Sequence, residues 1–259
     1  MNYRPNYVLH GPHGQGQTLR QGLGTVVYIP ARKNSTRVKD KNIALVGGLP
    51  LMAYTIRMAL ALDGVDHVFV DTDSREYAEI AREYGAEVPF LRDTFLATAK
   101  ASLTDATTRF LDRLYEQGLC PPAKIITLLP TSPFRNVKLL RHLVAAMDTY
   151  TGVFAMLQSN VHLAHSHCRT RQGELFPLHE LMLHEADQYD WAKIMGYFIG
   201  SHTKWRPTEE RALYNNFLYW PLTNPIELVD VDTQEDLDLA RRIVDAGLYD
   251  FGLELGAVA

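Results

Sequence analysis

The chain has 259 residues, 46% of them hydrophobic and 22% charged, with a formal net charge of −4. This length and balance suit one α/β domain with a substantial core. The mild acidity supplies no basic stripe, so nucleic acid is not an expected partner. No apolar run reaches the roughly 20 residues of a membrane-spanning helix, so no membrane is expected either.

The two cysteines, Cys120 and Cys168, have no metal-ligand spacing and are too few for a disulfide framework. A reducing cytoplasm is therefore the expected setting. Residues 1–24 are polar, rich in Gly and His, and lack the charged and apolar blocks of a signal peptide. They read as a flexible or loosely docked extension ahead of a single domain over 25–259.

Apolar periodicity begins at Thr25. TVVYI (Thr25–Ile29) is a short, continuous, β-branched run, the pattern of a strand covered on both faces. A basic loop follows from Pro30 to Asn42, and then a helical pattern, LPLMAYTIRMALAL, with Pro50 near its start. HVFVDTD (His67–Asp73) reads as a second buried strand. Ser74–Gly85 reads as a helix with a Ser cap and a Gly stop.

The alternation continues with a helix from Thr104 to Gln117, a strand over Lys124–Leu129, the PTSPFR turn, a helix over Val137–Tyr150 and a strand over Gly152–Leu157. Residues 158–190 break the rhythm and read as an inserted hairpin or helical arm. Lys193–Gly200 returns to strand character, IELVDVD reads as a strand, and Thr233 caps a closing helix. Strands alternating with helices predict an α/β fold with a mainly parallel sheet. Ligands then bind beyond the carboxyl ends of the strands, which marks the loop after Ile29 and the turns after Asp71 and Leu129.

The first loop, PARKNSTRVKDKN, holds Arg32, Lys33, Arg37, Lys39 and Lys41 directly after a buried strand, with Ser35 and Asn42 as neutral hydrogen-bonding groups. It is either a polyanion-binding loop or a solvated basic one, and it lacks the GxxxxGK[ST] pattern. In VDVDT, Asp230 and Asp232 alternate along the expected strand end and project to one face. They suit a shared Mg²⁺, or else they serve the cap of the next helix. A competing carboxylate pair is Asp71 and Asp73 in VDTDS.

These stretches, in this order from about Thr25 to Ala246, resemble the cytidylyltransferases that activate ulosonic acids, especially the CMP-sialic acid synthetase group with its legionaminic and pseudaminic acid enzymes. The matching segments are IPARKNSTRVKDKN, GLPLMAYTIRMAL, VFVDTDSREYAEIAREYGAEVPFLR, LTDATTRFLDRL, LLPTSPFR and VDVDTQEDLDLA. The resemblance implies a Rossmann-like nucleotide-diphospho-sugar transferase fold, a homodimer with residues 158–190 as dimerisation arm, and CTP and a sugar acid as substrates. It implies that Arg32 and Lys41 hold the triphosphate, assisted by Ala31, Ser35, Arg37 and Asn42. Arg92, Asp105 and Thr107 would surround the cytidine. Leu129, Thr131, Ser132 and the Tyr197–Phe198 pair would lie near the sugar acid, and Asp230 and Asp232 would bind Mg²⁺, with Arg32, Lys41 and Asp230 as the catalytic set.

Leu129 departs from the family, which reads LLQPTSP where this chain reads TLLPTSP. An apolar residue cannot reproduce a glutamine's hydrogen bonds. The expected activity is transfer of CMP from CTP to the anomeric hydroxyl of a nonulosonic or related acid, with release of pyrophosphate. Guanylyl transfer to a legionaminic-type acid, or a non-catalytic nucleotide- or sugar-binding homologue, are the alternatives.

Overall fold

A computed structural model describes residues 23–33, 35, 37–97, 102–119, 121–159, 167–169, 175–177, 191–203 and 216–255. The extension expected over residues 1–24 lies outside these, apart from its last two residues, and so does much of the expected arm.

The frame is a six-stranded sheet in the order β10-β6-β9-β5-β1-β4. Its strands are β1 (Thr25–Pro30), β4 (His67–Asp71), β5 (Lys124–Thr127), β6 (Gly152–Ser159), β9 (Trp191–His202) and β10 (Phe217–Pro221). β1 pairs in parallel with β4 and β5, and β10 with β6. β9 alone runs antiparallel, between β5 and β6. Apart from the strand expected at IELVDVD, the predicted strand and helix positions agree with the fold to within a few residues; β9 is longer than expected and β10 is an element the sequence reading does not predict. The expected mainly parallel α/β sheet is what forms.

β1 shows why its sequence is apolar without alternation. Val26 and Tyr28 face one side of the sheet, where they meet Phe69, Ile125 and the residues Phe110, Leu111 and Leu114 of α3 (Leu103–Glu116). Val27 and Ile29 face the other side, against α1 (Leu51–Leu60), α2 (Arg75–Glu83) and α4 (Val137–Ala146). Layers on both faces remove every second residue from water twice over, so no polar position remains. Burial of each such aliphatic side chain is worth about 1.5–3 kcal/mol.

A second core cluster docks the last helix, α5 (Gln234–Asp245), through Leu237, Ala240 and Ile243 onto Leu49, Leu51, Tyr54 and Phe134. Leu49 belongs to a two-stranded hairpin, β2 (Leu45–Val46) and β3 (Leu49–Pro50), that the sequence reading had not identified. Gly47 and Gly48 turn it with φ of 51° and 82°, which a two-residue hairpin loop requires. Within the expected arm, β7 (His167–Arg169) pairs antiparallel with β8 (Leu175–Pro177), so this part is a hairpin.

One predicted strand does not form. IELVDVD begins as a turn over residues 225–228, with Leu228 N–H bonded to the Pro225 carbonyl and Val229 N–H to that of Ile226. Pro225 at its head and the Asn224 side chain, which accepts from the Ile226 N–H, favour that turn over a strand.

Candidate active site

The carboxyl ends of β5, β1 and β4 lie side by side, and the loops leaving them share one rim of the sheet. From β1 the chain enters the basic loop. Its start is fixed to β4 by Ala31 N–H donating to the Asp71 carbonyl at 2.9 Å and Lys33 N–H donating to Asp73 Oδ1 at 2.8 Å. Its end is fixed by Asn42 Nδ2, which donates to the Arg32 carbonyl at 3.0 Å. Asp40 takes a left-handed φ of 51° to start the 3₁₀ turn Lys41–Ile43, and Tyr77 donates to its carboxylate at 3.1 Å. Asn42 therefore closes the loop rather than offering its amide outward. Arg32 and Ser35 are half-buried along it, and Arg37 is exposed.

Across the rim stands the segment before α5. Lys41 Nζ donates to Asp232 Oδ1 and Arg37 Nη1 to Asp232 Oδ2, each at 2.8 Å. The Lys41 hydrogen bond is the main reason the Asp232 carboxyl sits below its ordinary pKa. Lys41 is only 8% exposed, whereas the Asp232 side chain is 46% exposed. Capping of α5 falls to other groups: Thr233 Oγ1 accepts from Asp236 N–H, and Asp236 accepts from the Asp232 and Thr233 N–H groups. Asp232 is thus left for the basic loop. Val231 is fully buried, its N–H on the Thr131 carbonyl at 2.7 Å, with Asp230 and Asp232 half-exposed on either side.

Next to the loop, Arg92 donates through Nε (2.8 Å) and Nη2 (2.7 Å) to Asp71 Oδ2, and both residues are buried. Tyr28 donates to the same oxygen at 2.6 Å. Asp71 is therefore committed to Arg92, which weighs against the Asp71–Asp73 pair as a metal site. Thr107 neighbours the Tyr28 hydroxyl, and its own hydroxyl donates to the Leu103 carbonyl at 2.8 Å. Asp105 is spent on capping: it bonds Ser102 Oγ at 2.7 Å in the capping box of α3.

The third part of the rim is the turn after β5. Its Arg135 is fully buried and joins three carbonyls, Leu129 (2.7 Å), Gly196 (2.8 Å) and Tyr197 (2.8 Å), to Thr55 Oγ1 (2.9 Å). Burial lowers its pKa to about 10. Ser132 Oγ is buried, and it is the one buried side-chain oxygen or nitrogen among the described residues without a hydrogen-bond partner. An orphaned hydroxyl at a strand-terminal turn is the mark of a ligand contact or a bound water.

The family model described as cytidylyltransferase matches residues 26–175. A CMP-N,N'-diacetyllegionaminic acid synthase of Legionella pneumophila is 32% identical over 228 residues, covering 85% of this chain and 96% of that protein. The chain belongs to the cytidylyltransferase family. A pseudaminic acid cytidylyltransferase of Campylobacter jejuni is 27% identical, with 85% of this chain and 95% of that one covered. Among solved structures, a CMP:2-keto-3-deoxy-manno-octonic acid synthetase complexed with CTP shares the fold, with a TM-score of 0.60 at 16% identity over 86% of this chain and 99% of that one.

Within this cytidylyltransferase, two expected placements change. Tyr197 and Phe198 lie where the pairing of β9 with β6 shifts register, between Ile194 and Ile199, and both are fully buried. Neither ring has exposed surface on the rim, where the resemblance expects the pair near the sugar acid. Tyr197 packs beneath Arg135 and donates to Glu227, and both rings belong to the main core. Leu129 lies half-buried against Gly196, where an added Cβ would come within 2.5 Å of its Cδ1. Thr131 is half-buried beside it.

The sequence reading missed Tyr28, Arg135 and Glu227. Tyr28 has a legible signal, a polar-tipped aromatic inside an otherwise aliphatic strand whose hydroxyl needs a partner. Arg135 offers none, since a charged residue after PTSPF reads as exposed.

Proposed function

We propose that the protein transfers CMP from CTP to the anomeric hydroxyl of a nonulosonic acid, releasing pyrophosphate. The observation that carries this reading is the joining of Lys41 and Arg37 to Asp232 at the carboxyl ends of β1, β4 and β5, in a chain whose relatives of matching length are named for making CMP-legionaminic acid and for pseudaminic acid.

Lys41, Arg37 and Arg32 neutralise the triphosphate as charge shifts toward the leaving pyrophosphate. The backbone of Ala31 and Ser35 shapes the loop around it. The sugar's anomeric oxygen forms the new bond to the α-phosphorus as the bond to the β-phosphate oxygen breaks. Orientation by the turn Thr131–Ser132 brings the two reactants into line.

Asp230 and Asp232 supply hard, half-exposed oxygen donors of the kind Mg²⁺ takes, and Asp232 would receive the ion as Lys41 and Arg37 turn from it to the phosphates. The described residues contain no group of three or more His, Cys, Asp or Glu side chains able to hold a metal, so phosphate and water oxygens would complete the shell. When bound, the ion would offset charge on the phosphates. Asp230 and Asp232 would hold it, and Asp230 also lies within electrostatic reach of Arg135. We further propose a homodimer with the β7–β8 hairpin in its arm, and a cytoplasmic setting, in keeping with the absence of any described helix long and apolar enough to cross a membrane.

The test is pyrophosphate release with Mg²⁺, offering CTP, UTP, GTP and ATP against neuraminic, legionaminic, pseudaminic and Kdo-type acids. Release with CTP and one nonulosonic acid is expected. Release with GTP alone, or with no pair at all, overturns the reading. Unchanged Mg²⁺-dependent turnover in Asp230→Asn and Asp232→Asn would remove the metal assignment.

A further inference from the structure

The cations on this rim divide into two kinds. Arg37 and Lys41 reach across open or half-exposed ground to a partly solvated carboxylate. Arg92 is different: it is buried and pinned through two nitrogens to a single oxygen of Asp71, which is itself 2% exposed. Tyr28 adds a third bond to that oxygen, and Arg92 Nη2 also reaches the Tyr28 hydroxyl at 3.3 Å and the Asp71 carbonyl at 3.2 Å.

A guanidinium paired in this way is nearly neutral as a unit. It is a poor ligand for a triphosphate, whose charge it no longer opposes, but Nη1, which none of these bonds engages, remains a donor to an uncharged acceptor. Position agrees. Asp71 ends β4, its carbonyl anchors Ala31 at the mouth of the basic loop, and Arg92 N–H donates to the Thr72 carbonyl at 2.7 Å, so the pair stands directly beside that loop. A nucleotide whose phosphates lie on the loop offers two uncharged acceptor-bearing groups, ribose and base, and of these the O2–N3 edge of a pyrimidine presents two coplanar acceptors suited to a planar guanidinium.

We propose that Tyr28 and Asp71 are positioning residues that hold Arg92 as a charge-compensated donor for the acceptor edge of the pyrimidine. This rests on the reading that CTP is the nucleotide. Asp71 would thus tune base binding and leave phosphate binding to the loop. Tyr28 would keep the shared carboxylate oxygen in place.

The experiment is calorimetric titration of the full chain with Mg·CTP and, separately, with Mg·tripolyphosphate, which has the phosphates and neither ribose nor base, and with Mg·ribose 5-triphosphate, which lacks only the base and is expected to follow tripolyphosphate. In the wild type, CTP binds more tightly than tripolyphosphate. Asp71→Asn weakens CTP about tenfold and Tyr28→Phe about threefold, while tripolyphosphate affinity stays within about twofold in both. Equal losses on both probes would mean that the cluster only supports the fold, and no loss on either would mean that it is idle; each outcome overturns the proposal. Should Asp71→Asn fail to fold, Tyr28→Phe, which removes one hydroxyl, carries the same comparison. A wild type that binds tripolyphosphate but not CTP would fail the cytidylyltransferase reading itself, and is told apart from failure of this proposal before any variant is made.

Discussion

Lys41 and Asp232 stand 191 positions apart in the chain and meet at 2.8 Å, an almost buried ammonium on a half-exposed carboxylate. The asymmetry of burial fixes what each substitution does. Asp232→Asn leaves the Lys41 charge inside without compensation, whereas Lys41→Met removes the buried charge and leaves a carboxylate that water and Arg37 still serve. Thermal unfolding of the two single variants and the double variant is expected to show Asp232→Asn as the more destabilising. The coupling should be about 1 kcal/mol, kept small because solvent screens Asp232.

Glu227 gives the fold a pH-dependent stability. Burial raises its pKa, partly offset by the hydroxyls of Tyr249 at 2.7 Å and Tyr197 at 3.5 Å. A carboxyl whose folded pKa is raised contributes stability below its unfolded pKa, and this is lost as pH rises through the folded value. Glu227→Gln keeps both hydroxyl bonds without the charge. Its melting temperature relative to wild type should rise between pH 4 and pH 8, by about 2 °C. A constant difference across that range would show that Glu227 carries no such shift.

Gly196 and Leu129 form a steric pair that can be tested by rescue. Gly196→Ala places its Cβ 2.5 Å from Leu129 Cδ1 and 2.7 Å from Leu129 Cβ. The expected cost is about 1–3 kcal/mol, as for other overpacked sites. Leu129→Ala in the same chain should recover part of it. Since Leu129 belongs to the turn expected to face the sugar acid, the single variant should also raise KM for the acid more than for CTP.

Thr233 caps α5 directly after Asp232. Thr233→Ala is expected to cost about 1 kcal/mol in stability. Because the cap fixes the backbone that carries Asp232, CTP binding should weaken as well, whereas Ser102→Ala at the equivalent capping box of α3 should cost comparable stability with less effect on the phosphate end.

Much of this was readable in advance where one physical rule dominated. The sandwiching of β1 between two layers made its strand plain, and Ser74 and Thr233 announced their helices because a side-chain oxygen there meets a free N–H. Burial inverts some expectations. Arg135 and the Arg92–Asp71 pair are charged, so nothing in their local sequence tells that the core closes over them and that distant carbonyls or a distant tyrosine satisfy them. The strand expected at IELVDVD failed because alternation of apolar and acidic residues suits an extended segment anchored through the Val231 N–H as well as it suits a strand. Tyr197 and Phe198 fall in the register shift of β9 against β6, a departure from regular pairing that local sequence does not announce, and both rings are buried.

The bridge from the basic loop to Asp232 also orders events in time. A nascent chain builds β1, β4 and β5 first, yet Lys41 has no carboxylate to meet until the segment before α5 has been made and has docked on Leu49, Tyr54 and Phe134. Lys41 therefore gains its ion pair only after the segment before α5 is made, whereas the closure of the basic loop by Asn42 needs nothing beyond Asn42 itself.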